Sequence, residues 1–114
     1  MSLTDRELLE LAAKAAGIQG QWSERGQCIL VTEVGMSWQH WRPLDDDGDA
    51  LRLAIKLGIC IQLIPECDTA CAYQERPATG EPFNVHVAGL GDIETRRVIT
   101  QAAAEIGKAM QEQH

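Results

Sequence analysis

The spacing of apolar residues divides the chain into helical and extended stretches. Leu8, Leu11, Ala12 and Ala15 recur at i, i+3, i+4 and i+7, the repeat that stacks side chains on one helix face. Ahead of them Thr4-Asp5-Arg6-Glu7 matches a capping box, in which hydroxyl and carboxylate each satisfy an orphan amide. Gly17 supplies a left-handed stop, so the pattern predicts a helix over 5–16. Ala50, Leu53, Ala54 and Leu57 repeat the spacing, with Leu51 and Ile55 widening the stripe into a helix expected to be well buried. Asp45, Asp46 or Asp47 can cap its start and suit its positive end, and Gly58 closes it. A third helix is predicted over 93–111, with Asp92 as its N-cap and a core stripe of Val98, Ile99, Ala102, Ala103, Ile106 and Met110. Gly107 inside that helix costs roughly 1 kcal/mol against alanine, a cost accepted where another backbone packs close. Ala102, Ala103, Gly107 and Ala109 permit such an approach, to the sheet or to a second copy of the protein.

Between the helices the period changes to two. The β-branched run at 27–34 reads as a strand, and Gly35 turns the chain into a second one at 36–41. Trp38 and Trp41, three apart, then face opposite sides of the sheet. Pro43 ends that strand and disfavours helix at Arg42. Ile59, Ile61 and Leu63 alternate up to Pro65, 68–74 forms a further strand, and 76–82 carries the Pro/Gly punctuation of a loop. Phe83, Val85 and Val87 alternate against Asn84 and His86, a half-buried strand. Residues 18–22 read as a lead into the turn-like Ser23-Glu24-Arg25-Gly26. The expected fold is α+β in the order α-β-β-α-β-β-β-α. A mostly antiparallel sheet of four or five strands is covered by three helices as an α/β/α sandwich.

At 114 residues this is one domain, 1–114, long enough to bury a core without metals or disulfides. A formal net charge of −7 argues against nucleic acid held by phosphate neutralisation. The N-terminus lacks the basic and apolar regions of a signal peptide, and no apolar run is long enough to span a bilayer. A cytoplasmic protein with reduced cysteines and no membrane partner is therefore expected.

Candidate chemistry is sparse. Asp45-Asp46-Asp47-Gly48-Asp49 fails as a calcium loop, since Ala50 and Lys56 would occupy the positions that need glycine and a bidentate glutamate. Cys67 and Cys71, with Cys60 and His86 as companions, form one loose pair where structural zinc needs two. No G-x-S-x-G or phosphate-cradling glycine loop occurs. Gly89-Leu90-Gly91 precedes a helix, but Asp92 would repel an anion there. No catalytic residue, metal or cofactor is assigned, and a non-enzymatic protein is expected.

One signature remains. Trp41-x-Pro43-Leu44-x-Asp46-Asp47-Gly48-Asp49-Ala50-Leu51-Arg52-Leu53-Ala54 resembles a segment of small uncharacterised phage and prophage proteins. Thr95-Arg96-Arg97-x-Ile99, Ala102 to Gly107 and Glu7 to Gly17 fit the same family, the phage ABA-sandwich domain, over about half the chain. The resemblance implies helix, sheet and helix layers, a phage origin and no assigned activity. Arg42 stands where the family usually has asparagine, and Asp45 where it often has threonine.

These readings point to a phage or prophage accessory protein acting by binding in the host cytosol. Its partner would be a host or anti-phage defence protein, met by the Trp38–Trp41 strand end and the 74–82 loop. The alternative is an oligomer, joined through the C-terminal helix, that sequesters a small nucleotide-like ligand. The candidate binding residues are Trp38, Trp41, Arg42, Arg76, Arg96 and Arg97, the arginines suiting carboxylate or phosphate.

Overall fold

A computed structural model of the chain describes residues 3–31, 39–74 and 83–112. Helix α1 spans Asp5–Ala16. Its capping box is complete, with the Glu7 amide donating to the Thr4 hydroxyl at 3.1 Å and the Thr4 amide to the Glu7 carboxylate at 3.0 Å. Gly17, at φ 70°, closes α1, and the Ile18 amide reaches back to the Ala13 carbonyl. The same device closes α2 (Asp47–Leu57), where Gly58 sits at φ 64° and the Ile59 amide donates to Ala54. Both are the glycine stop that their sequences predict. Of the three candidate caps for α2, Asp46 serves, accepting the Asp49 amide at 2.8 Å. Helix α3 spans Asp92–Glu112. Asp92 is already inside it, and Gly91 supplies the first accepting carbonyl, to Thr95.

The strands are β1 (Gly20–Ser23), β2 (Cys28–Val31), β3 (Gln39–Trp41), β4 (Cys60–Ile64), β5 (Thr69–Tyr73) and β6 (Asn84–Ala88). They form two three-stranded antiparallel sheets, β1-β2-β3 and β4-β5-β6, instead of one sheet of four or five strands. The element order thus gains a strand, β1, that the apolar pattern does not announce. Its Gly-Gln-Trp-Ser sequence has little strand character. Pairing with β2 across the Glu24–Gln27 turn makes it a strand, with Gly20 opposite Val31 and Ser23 opposite Cys28. A Cβ on Gly20 would lie 2.3 Å from the Leu30 carbonyl oxygen, so the ladder needs glycine there. Each sheet is a meander of sequential neighbours. Helix α2 separates the two meanders, and among the described residues no ladder joins β3 to β4.

One connected core draws on all three helices and both sheets. At its centre α3 is buried around more than half its circumference, from Val98 and Ala102 round to Thr100 and Ala104. Thr100 is the one buried polar residue among those described, and its hydroxyl donates to the Arg96 carbonyl four residues back. The small residues of α3 meet α1: a Cβ on Gly107 would lie 2.0 Å from the Leu11 carbonyl oxygen. The close approach at Gly107 is therefore to α1 of the same chain. Helix α3 also packs on β5 and β6 and against α2, while α1 packs on β2.

The burial of α2 differs from the expectation. Ala50, Leu53 and Ala54 face the core, but Leu51 is 56% and Ile55 71% exposed. Among the described residues α1 and α3 make its main packing contacts, and these cover a narrow stripe.

Candidate functional site

The Trp41–Asp49 junction builds the most developed site. Trp41 ends β3 facing inward and is 9% exposed, with Pro43 and Leu44 buried behind it. The chain then turns, the amides of Asp45 and Asp46 donating to the Arg42 carbonyl. Asp49 clamps strand to helix: one carboxylate oxygen accepts the Arg42 amide at 2.9 Å, the other the Arg52 guanidinium at 2.7 Å. Asp49, Arg52 and Lys56 are spaced i, i+3 and i+7 and share one helix face. Beside them, between α2, β3 and the end of α1, lies a cleft of about 310 Å³ with Trp41 and Leu53 in its wall. It adjoins a shallower basin of about 670 Å³ bounded by Arg42, Asp45 and Asp46 and sharing Gln39, His40, Asp49 and Arg52 with the cleft.

Charges of both signs line this region. Arg42 donates through Nη2 to His40 Nδ1, so the neutral imidazole carries its proton on Nε2. The Arg42 Nε is buried with no acceptor among the described residues. The Arg52 guanidinium is held above its ordinary pKa, first by the hydrogen bond to Asp49 and then by the charges of Asp49 and Asp46. It remains a cation at any accessible pH.

The aspartate run has separate duties. Asp46 caps α2, Asp49 clamps β3, and Asp47 pairs with Arg96 of α3. Among the described residues no three His, Cys, Asp or Glu side chains converge as a metal site. Cys71 and His86 are direct cross-strand neighbours, Cys60 lies opposite Tyr73, and Cys67 sits apart in the 3-10 turn Pro65–Cys67. Those cysteines and Cys28 are all free thiols.

The six candidate residues are not one site. Trp38 and Arg76 lie outside the described residues. Trp41 and Arg42 belong to the cleft and basin. Arg96 is 15% exposed and donates through Nε to the Leu44 carbonyl at 3.0 Å, fastening α3 to the β3–α2 turn. Arg97 pairs with Asp5 at 3.0 Å, tying α3 to the start of α1. Gln39, Asp49, Arg52 and Lys56 join the site although none is among the six candidates. The i, i+3, i+7 spacing of the last three on α2 is a signal that sequence reading can find. Their closeness to Gln39 and His40 is a tertiary fact. Comparison with protein-family models, curated proteins and solved structures gives no match to the chain, so the phage-family resemblance rests on its residue signature alone.

Proposed function

We propose that the chain is a small phage- or prophage-type accessory protein that acts by binding a host or anti-phage defence protein in the host cytosol. The observation that carries this reading is the Arg42 corner. A guanidinium whose buried Nε has no acceptor among the described residues stands at the rim of an open basin beside His40 and the Asp49–Arg52 pair. Arginine presents a planar fork suited to a partner's carboxylate or main-chain carbonyl. The departures from the family signature, Arg42 and Asp45, both border this basin. Tagged wild-type protein is expected to enrich a partner from bacterial lysate, and Arg42→Ala to lose it at unchanged melting temperature. Equal recovery by both proteins, or no enrichment by either, overturns the reading.

A second reading, sequestration of a nucleotide-like ligand, is favoured by one observation. Arg52 and Lys56 line a 310 Å³ cleft of ligand size. The nearby carboxylates weigh against a phosphate. Melting temperature measured across cyclic and linear nucleotides discriminates: a rise abolished by Lys56→Ala supports it, and no rise with any nucleotide excludes it.

A further inference from the structure

His40 lies in β3 and Arg42 just past its end, two residues apart, which sends both side chains to one side of the strand. There Arg42 Nη2 stands 2.5 Å from His40 Nδ1. A guanidinium has donors only and keeps its charge, so the ring nitrogen has to present a lone pair. The contact therefore exists only with a neutral imidazole. An imidazolium carries N–H on both nitrogens and would set two cations against each other.

Little else holds the guanidinium. Its Nε has no acceptor among the described residues, and the bond to His40 is its only hydrogen bond among them. The charged groups that share the cleft or basin with His40 are Arg42, Arg52 and Lys56 and the carboxylates of Asp45, Asp46 and Asp49. From β2 the residue opposite His40 is the apolar Leu30. Most of the carboxylate capacity is committed. Asp49 accepts from the Arg42 amide and from Arg52, and Asp46 accepts the Asp49 amide. Asp45, in the same basin, is left with no side-chain hydrogen bond among the described residues.

We infer that His40 is a proton-sensitive latch on Arg42. The neutral ring holds the guanidinium at the end of β3, and protonation releases it into the basin toward Asp45. The backbone stays in place, because the Arg42 amide is held by Asp49 and not by His40. Only the side chain changes partner. The functional consequence rests on the proposed role of Arg42 in gripping a partner. Latched, Nη2 is engaged and Nε is buried, so neither two-pronged edge of the guanidinium is free. Released, the Nη1–Nη2 edge is free to take a carboxylate with two parallel hydrogen bonds. Capture through Arg42 is thereby stronger in mild acid than at neutral pH.

NMR of the isotope-labelled full chain, titrated through about pH 5–8 where imidazole changes charge, tests the latch with no partner present. The Arg42 Nε–H signal is expected to shift with the same midpoint as the His40 ring signals. His40→Gln keeps an uncharged acceptor and should hold the Arg42 signal constant over that range. His40→Ala removes the acceptor and should fix the signal near the position that wild type reaches in acid. His40 is exposed, so both variants should keep the fold, checked by circular dichroism. An Arg42 signal that does not follow the His40 titration overturns the inference, as does a pH response that survives in both variants. A His40 ring that keeps one charge state throughout the range overturns it too. These signals come from the chain alone, so failure of the latch and failure of lysate capture through Arg42 are separately visible.

Discussion

At the scale of single residues, Glu7, Thr4 and Arg96, none of which lines the cleft, are expected to contribute to stability. The exposed Glu7 carboxylate is held below its ordinary pKa, first by the Thr4 backbone amide and then by the Thr4 hydroxyl. A carboxylate depressed in the folded state stabilises above its unfolded pKa and loses that contribution as pH falls through the folded one. Glu7→Gln should therefore cost stability at neutral pH and progressively less as acid protonates the wild-type carboxylate. Chemical denaturation from neutral pH down into the carboxylate range checks the sign. Thr4→Ala removes the cap itself and should cost about 1 kcal/mol. Arg96 differs because its partner is a backbone carbonyl. Arg96→Ala leaves the Leu44 carbonyl without its donor and should cost about 1–2 kcal/mol. Asp47, 76% exposed, adds little through the ion pair. Arg96→Lys should recover only part of the loss, since an ammonium lacks the fork that reaches carbonyl and carboxylate together.

At the scale of elements, the close approach of α3 to α1 is the tightest constraint. On propensity alone Gly107→Ala would gain roughly 1 kcal/mol. A Cβ there meets the Leu11 carbonyl oxygen at 2.0 Å, and backbone cannot swing aside as a long side chain can. Overpacking of this kind typically costs about 1–3 kcal/mol, so a net loss of stability is expected by thermal or urea unfolding. A gain would show that the helices separate freely. The glycine's place in the helix and its need for a nearby backbone were both legible in the sequence. That the backbone belongs to α1 was not, because periodicity describes one helix at a time. Strand β1 was hidden for a related reason. Gln21 and Trp22 become strand residues only through pairing with Leu30 and Ile29.

At the scale of the whole molecule, the two sheets share one core through α3, which touches α1, α2 and the second sheet. The acidic charge acts on this scale as well. A net charge of −7 repels itself within the compact fold, and salt screens that repulsion. Thermal stability should therefore rise with ionic strength. Melting temperature at low and high salt reads the effect, and a fall with added salt would show that the internal ion pairs outweigh the repulsion.

Local chemistry determined much of this protein from the sequence alone. Capping hydroxyls and carboxylates, glycine stops and apolar period set α1, α2 and α3 nearly to the residue, because each signal acts within a turn or two of chain. Alternation placed β6, with Val85 and Val87 on its more buried face. Tertiary structure decided the rest. It split the strands into two sheets, left Leu51 and Ile55 in water, and chose Asp46 among three equivalent caps. It also gathered His40, Arg42, Asp49 and Arg52 around one basin. The physical reason is the range of the forces involved. A residue's neighbours along the chain fix its backbone and its side of an element. What covers that side depends on how far the next helix reaches, and here α3 packs on β5 and β6 while Ile61 and Leu63 of β4 stay exposed.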